Sequence, residues 1–105
     1  MKAVITATGN RLESHLDMRF GRCEYFVVYD TGTGTIEFIP NPNRDLEEGA
    51  GPASVELVAS RNPDLIVSGE FGAKIKNLLD SLKIQLVLIK DPERRIHDII
   101  DLLNH

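Results

Sequence analysis

The 105-residue chain has little cysteine and no long apolar segment, and both shortages narrow what it can be. Its one cysteine, Cys23, cannot form an internal disulfide and cannot by itself supply a multi-cysteine iron–sulfur or zinc site. A chain without disulfides suits a reducing compartment, so we expect a cytoplasmic protein. No stretch approaches the roughly 18 apolar residues of a membrane span, and the apolar run after Lys2 is too short for a signal-peptide core. We therefore expect no membrane partner.

Positive charge is also in the minority. The chain has 12 lysines and arginines against 16 aspartates and glutamates, and its net charge is −4. Proteins that coat nucleic acid usually carry a basic excess, so we expect no nucleic-acid partner. The remaining composition, 42% hydrophobic and 27% charged, is that of an ordinary globular domain able to bury a core.

Short apolar runs separated by turn signals predict strands, and longer periodic segments predict helices. The predicted strands are Lys2–Ala7, Glu24–Asp30, Thr35–Pro40, Asp64–Ser68 and Ile84–Ile89. The predicted helices are Pro52–Arg61, Ala73–Leu82 and a last helix that starts at Asp91-Pro92-Glu93 and carries Ile96, Ile99, Ile100 and Leu103 on its apolar face. Thr31–Gly34 is a turn signal, so the second and third strands are expected to form a hairpin.

This order of elements predicts one α/β domain over residues 1–105. The hairpin reverses the chain twice, so the first and third strands run parallel, and right-handed crossovers add the fourth and fifth strands parallel to them. The expected sheet is mixed, with strand order 3-2-1-4-5 and an antiparallel second strand. Three helices are expected on its two faces, which is the pattern of the three-layer ribonuclease-H-like architecture.

Three connections are expected to meet at the carboxyl edge of this sheet. They are the loop Thr8–Arg22, the loop that ends at Glu48–Pro52, and the segment Gly69–Gly72. Open α/β sheets bind ligands at that edge, and helix N-termini rich in glycine favour anions. The candidate anion-binding glycines are Gly49, Gly51, Gly69 and Gly72. The alternative for each of them is a turn or cap residue without a ligand.

The stretch Met18–Cys23 carries two arginines near this edge. Arg19 and Arg22 are candidates for contacting an anion, because a guanidinium offers a planar set of donors. The alternative for Arg22 is a surface ion pair with Glu13 or Asp17. Phe20 is expected to anchor the loop in the core, and Gly21 is expected to supply either a positive φ or a close backbone approach.

Cys23 and His15 are the candidate metal ligands of this region. Two such ligands on one loop make at most a partial site. The alternatives are a small, half-buried Cys23 at the start of a strand and a solvated His15. A cysteine hydrolase would require a base beside the thiol, and no motif supports that arrangement. A two-metal nuclease is disfavoured because the first strand contains no carboxylate.

The segment Phe20–Cys23, followed by Phe26–Asp30, resembles the signature F-G-R-[AC]-x-x-F-x-x-[YF]-[DE] of the dinitrogenase iron–molybdenum cofactor biosynthesis family. The resemblance covers nearly the whole chain in the same order. One position departs from it, because Arg19 stands where members often have histidine. Further matching segments are Gly49–Gly51, Asp64–Gly69, Phe71–Gly72 and Leu82–Ile84.

The resemblance implies the ribonuclease-H-like fold and a non-catalytic role in metal-cluster assembly. It implies a small protein that binds or carries iron–molybdenum cofactor or an iron–sulfur precursor, with cluster-assembly proteins as partners. A sensor domain for small anions or nucleotides, without metal, is the alternative that the residues leave open. The first hypothesis assigns Cys23 and the arginines to the cargo, whereas the second leaves Cys23 without a role.

Overall fold

The computed structural model describes residues 1–104, which form five strands and three helices in the order β-β-β-α-β-α-β-α. The strands are β1 (Lys2–Ala7), β2 (Tyr25–Asp30), β3 (Ile36–Pro40), β4 (Leu65–Ser68) and β5 (Gln85–Leu88). The helices are α1 (Ala50–Ala59), α2 (Ala73–Ser81) and α3 (Ile96–Leu103). No helix among these residues has the length and apolar character needed to cross a bilayer.

The strands form one mixed sheet in the order β3-β2-β1-β4-β5. The hairpin β2–β3 is antiparallel, and β2 also pairs antiparallel to β1 with Lys2 opposite Asp30. The other pairs, β1–β4 and β4–β5, are parallel, with Ala3 opposite Leu65. The predicted strand order and the antiparallel second strand are confirmed.

The central strand β1 is buried on both faces, so its residues contribute to two separate apolar clusters. Ala3 and Ile5 point into a cluster that α3 closes, with Ile96 fully buried there. Val4 points into the other cluster, which α1 and α2 cover and to which Val55 belongs. The sheet is therefore the middle of three layers, and helices lie on both faces as predicted.

The predicted start of the last helix at Asp91-Pro92-Glu93 is wrong. The helix begins at Ile96, and Arg95 before it has the extended conformation φ −97°, ψ 159°. The Arg95 N–H donates to the Asp98 carboxylate at 3.0 Å, which gives a cap further along the chain than Asp91.

Long-range pairing explains this difference. The loop that follows β1 runs beside residues 94–97 like a short strand: the Leu16 N–H donates to the Arg94 carbonyl at 2.8 Å. In return, the Ile96 N–H donates to Ser14 at 2.9 Å and the His97 N–H donates to Leu12 at 3.0 Å, both at the carbonyl oxygen. This pairing holds the chain extended where local sequence favours a helix start, and it satisfies the first amides of α3.

Replacement of Ile96 by alanine tests how much the packing of α3 on the sheet contributes to the stability of the domain. Ile96 is fully buried, so Ile96→Ala is expected to lower the free energy of unfolding by about 2–5 kcal/mol. Leu102→Ala on the same helix, where the side chain is half exposed, is the control and is expected to change it by less than about 1 kcal/mol. Urea unfolding followed by circular dichroism measures both; equal losses would contradict the packing described here.

Candidate functional site

Buried hydroxyl groups fix the first loop to the carboxyl ends of β1 and β4. Thr6 Oγ1 lies 2.7 Å from the Asp17 carbonyl oxygen and 2.9 Å from Ser68 Oγ. The Asp17 N–H donates to the Thr6 carbonyl at 2.9 Å. Both hydroxyl side chains are completely buried, so Asp17 is held in place at the point where β1 and β4 end.

Glycines allow the three connections to touch through their backbones. A Cβ at Gly21 would lie 2.9 Å from the Gly51 Cα and 3.0 Å from its nitrogen, so the first loop rests directly on the first turn of α1. A Cβ at Gly51 would lie 2.7 Å from Ile75 Cδ1 of α2. A Cβ at Gly69 would meet Met18 at 2.5 Å. Of the two expectations for Gly21, the close approach is therefore the one found.

Two helices begin at this edge with glycine caps. α1 starts at Ala50, earlier than the predicted Pro52, because Gly49 adopts φ 77° and turns the chain into the helix. Gly72 precedes α2, and neither helix has a side-chain cap or an acidic residue in its first turn. Their first amides and their positive dipole ends favour an anion, whereas the first amides of α3 already bind loop carbonyls.

Phe20 anchors the loop below this surface, as predicted. It is 3% exposed, and its ring centroid lies 5.8 Å from that of Phe26 on β2. On its other side it lies 5.5 Å from Phe71, which is half-buried and directly precedes Gly72. The floor between the two helix N-termini is therefore apolar and aromatic.

Arg19 lies on the surface and is paired with Asp17. Its Nε is 3.3 Å from Oδ1 and its Nη2 is 3.4 Å from Oδ2 of Asp17, and its backbone N–H donates to Oδ1 at 2.9 Å. The Arg19 side chain is 59% exposed, whereas that of Asp17 is 4% exposed. The hydrogen bond with Asp17 raises the pKa of Arg19, so the guanidinium stays charged at any physiological pH.

Arg22 has different partners from those expected. Its Nη1 donates to the carbonyl oxygens of Arg44 at 2.9 Å and Leu46 at 2.7 Å, and its Nη2 donates to that of Glu47 at 3.4 Å. The alternative of an ion pair with Glu13 or Asp17 is wrong, because the hydrogen bonds of the Arg22 guanidinium go to backbone carbonyls. The predicted contact of Arg22 with an anion stays a prediction, and such a ligand would have to replace these carbonyls.

Cys23 is fully buried, and not half-buried at the surface. It belongs to the apolar cluster under α1 and α2, and Asn41 Nδ2 donates to its carbonyl oxygen at 3.0 Å. Burial raises the pKa of the thiol well above its ordinary value, so at neutral pH the group is a protonated thiol.

His15 lies on the other side of the sheet. It forms an isolated bridge with Arg95, beside α3, and the next residue, Leu16, belongs to the cluster under α3. The structure thus places His15 and Cys23 next to different layers. Within residues 1–104, no three side chains of His, Cys, Asp or Glu are grouped to hold a metal ion. The metal-binding roles of His15 and Cys23 stay predictions.

Two polar residues that the sequence analysis missed support the loop from inside. Asn41 Nδ2 donates to the Gly21 carbonyl at 3.1 Å as well as to Cys23, and Ser54 Oγ donates to the same Gly21 carbonyl at 3.2 Å. Both are buried. The only sequence signal for them is a polar residue directly after β3 and another on the apolar side of α1.

Two shallow depressions of the surface lie elsewhere and contain none of the predicted site residues. One is lined by Arg94, Asp98, Asp101 and Leu102 along α3. The other is lined by Ala59, Asn62, Pro63, Leu82 and Ile84, where α1 ends and β4 and β5 begin. Charge and backbone donors, and not a deep cavity, distinguish the candidate site from both.

Substitution of Gly21 tests the backbone contact that joins the loop to α1. In Gly21→Ala the added Cβ meets backbone atoms of Gly51, which cannot move aside as a side chain can, and we expect a loss of about 1–3 kcal/mol in unfolding free energy. Gly72→Ala is the matched control, because nothing lies within 4 Å of its Cβ and its φ is −65°. Thermal and urea unfolding measure both, and a tolerated Gly21→Ala would refute the contact.

Burial of Cys23 predicts low thiol reactivity. Because the folded state raises the thiol pKa, raising the pH from about 7 to about 9 should leave the native reaction with iodoacetamide slow, while the urea-unfolded chain reacts at the rate of an ordinary cysteine. Mass spectrometry of the alkylated fraction over time measures the two rates. Rapid alkylation of the folded protein would show that Cys23 reaches the surface.

Known proteins share both the sequence pattern and the fold. The model of the family described as dinitrogenase iron-molybdenum cofactor matches residues 1–104. An uncharacterized protein of Methanocaldococcus jannaschii is 32% identical over 89 residues, which cover 82% of this chain and 72% of that protein.

Two solved structures superpose on nearly the whole chain. The apo form of the orange protein from Desulfovibrio gigas has a TM-score of 0.89 and 25% identity, and covers 97% of this chain and 85% of its own. A putative NifB protein from Thermotoga has a TM-score of 0.81, with the same identity and coverage. With its family signature, strand order and carboxyl-edge glycines in place, this chain belongs to the dinitrogenase iron–molybdenum cofactor family.

Proposed function

We propose that this chain forms one domain and is a non-catalytic carrier that holds an iron–molybdenum or iron–sulfur cofactor, or its precursor, as cargo in metal-cluster assembly. Membership of the family supports the class of cargo. The observation that carries the proposal is the pair of glycine-capped helix N-termini, at Gly49 and Gly72, joined by the contact of Gly51 with Ile75. Metal–sulfur cofactors are anionic, and two adjacent positive dipole ends suit them.

The proposed contacts combine amides with arginine. The amides at Gly49, Gly51 and Gly72 donate to the cargo, and Arg19 and Arg22 offset its charge. Pro52, in the first turn of α1, has no N–H to contribute. Gly21 and Gly69 contribute because they have no side chain. A side chain at either position would separate the connections that form the surface.

Cys23 and His15 are the proposed metal contacts, and the surroundings of each residue limit how a metal can reach it. The Cys23 thiol lies beneath Asn41, whose Nδ2 is 3.9 Å from Sγ, so a metal reaches it only after the loop behind β3 moves. His15 is half-buried beside Arg95, so a metal that it contacts would lie near the start of α3.

The wider assignments follow from the same proposal. Cluster-assembly proteins deliver and receive the cargo, and the reducing cytoplasm is where such clusters persist. We also propose that the domain has the ribonuclease-H-like architecture, which its strand order supports, although β1 carries no carboxylate for metal-dependent hydrolysis.

A sensor for small anions or nucleotides is the second candidate function. The observation that favours it is the full burial of Cys23, since an anion bound by amides and arginine needs no thiolate. Stabilisation by inorganic phosphate or a nucleotide, without any response to metal clusters, would distinguish this function from cargo carriage.

The carrier function is tested at the N-terminus of α2 with Gly72→Asp. The backbone there has the extended geometry of an N-cap, so an aspartate should stabilise the helix by about 0.5–1 kcal/mol and, by repelling an anion, weaken cargo binding roughly tenfold. Anaerobic titration with iron–molybdenum cofactor and with an iron–sulfur cluster, followed by absorbance and paramagnetic resonance, measures binding.

Gly72→Asn is the neutral control for this substitution. It supplies the same cap without the charge, so it should weaken binding less than Gly72→Asp does. Failure of the unmodified protein to bind either cluster would refute the carrier function. If Gly72→Asp leaves binding unchanged, the cargo does not bind at the N-terminus of α2.

A further inference from the structure

The two arginines of Met18–Cys23 make contacts of opposite kinds. We infer that Arg19, directed by Asp17, is the guanidinium that this protein presents to an anionic ligand, and that Arg22 is instead the residue that fastens the loop 41–49. This inference rests on the proposed function and deepens it, because it names the contact and the positioning residue. Under this inference the two arginines no longer share the role of offsetting the charge of the cargo.

Arg22 is occupied by the backbone of one loop. All three of its acceptors, the carbonyls of Arg44, Leu46 and Glu47, lie within four consecutive residues. Such an arrangement suits a guanidinium, which carries donors on both terminal nitrogens in one plane. The last acceptor, Glu47, precedes the Gly49 cap of α1 closely, so the guanidinium holds the loop that leads into that helix.

Arg19 keeps part of its guanidinium available. Asp17 accepts from Nε and Nη2, and no hydrogen bond within residues 1–104 occupies Nη1. The side chain is 59% exposed. A guanidinium held along one edge loses little further conformational freedom when another edge binds an oxygen or sulfur acceptor, so Arg19 is prepared for a ligand.

Asp17 is the residue that gives Arg19 its direction. Its backbone is fixed by Thr6 on both sides, through the N–H and the carbonyl, and its carboxylate also accepts the Arg19 N–H at 2.9 Å. The Asp17 carboxylate offsets the charge of Arg19. The guanidinium therefore acts on a ligand mainly as a hydrogen-bond donor with a fixed direction. It therefore fits an anion with terminal oxygen or sulfur atoms that accept hydrogen bonds.

The neighbours of Arg19 locate this donor beside α2. Met18 packs on Gly69, and Phe20 packs on Phe71, so the residues on both sides of Arg19 touch the connection between β4 and α2. The amides of α2 begin directly after Gly72. The first turn of α1, in contrast, lies against Gly21. The proposed ligand contact therefore combines Arg19 with the N-terminus of α2.

The test separates the two arginines by combining ligand titration with amide hydrogen exchange. Arg19→Gln is expected to weaken binding of iron–molybdenum cofactor about tenfold or more, and to leave exchange in residues 41–49 unchanged. Arg22→Ala is expected to speed exchange in residues 41–49 and to weaken binding less than Arg19→Gln does. Inorganic phosphate serves as a metal-free second probe.

A double-mutant cycle tests the positioning role of Asp17. Asp17→Asn should weaken binding in the unmodified chain but have little effect when Arg19→Gln is already present, because Asp17 acts through Arg19. The double variant also removes the unpaired buried carboxylate that Arg19→Gln alone would leave. Equal effects of Asp17→Asn in both backgrounds would show a merely structural residue.

The outcomes decide the inference separately from the carrier function. If the unmodified protein binds neither cofactor nor phosphate, the proposed function fails and the ligand role of Arg19 fails with it, while exchange in Arg22→Ala still decides the fastening role. If the unmodified protein binds and Arg22→Ala loses as much affinity as Arg19→Gln, with loop exchange unchanged, the assignment of the two arginines is overturned.

Discussion

The contact between Gly21 and Gly51 is the constraint on which the candidate site depends. It lets the loop after β1 rest on the first turn of α1 at a distance that no side chain permits. Asn41 and Ser54 then hold the Gly21 carbonyl from below, and Phe20 fills the space between β2 and the start of α2. Without that approach the connections would not share one surface.

Most of the fold follows from local patterns, because short apolar runs, turn signals and the rules of strand connection suffice to give the sheet order. The start of α3 did not follow, since its position depends on backbone pairing between the loop near Ser14 and Ile96, far apart in the chain. Asp91 and Pro92 carry every local signal of a helix start, but a cap is worth about 1 kcal/mol and yields to a series of backbone hydrogen bonds.

For the candidate residues, the sequence predicted their location in the fold better than their contacts. The glycines and the aromatic anchor lie where the signature and the topology put them, because both depend on backbone geometry. The partners of Arg22 could not be read from the sequence, since its acceptors are carbonyl oxygens, which every residue has. Burial of Cys23 depends on how α1 covers β2, which residue types alone do not determine.

The backbone pairing between the first loop and the start of α3 ties the last helix of the chain to the first connection. Asp17 follows Leu16 directly, and Leu16 donates to Arg94. The residue before Asp17 is therefore held by a segment from the opposite end of the sequence. Thr6 holds Asp17 from within the sheet, but the residue before Asp17 is held by a segment that is synthesised last, so the support of Arg19 is complete only when the whole domain has folded.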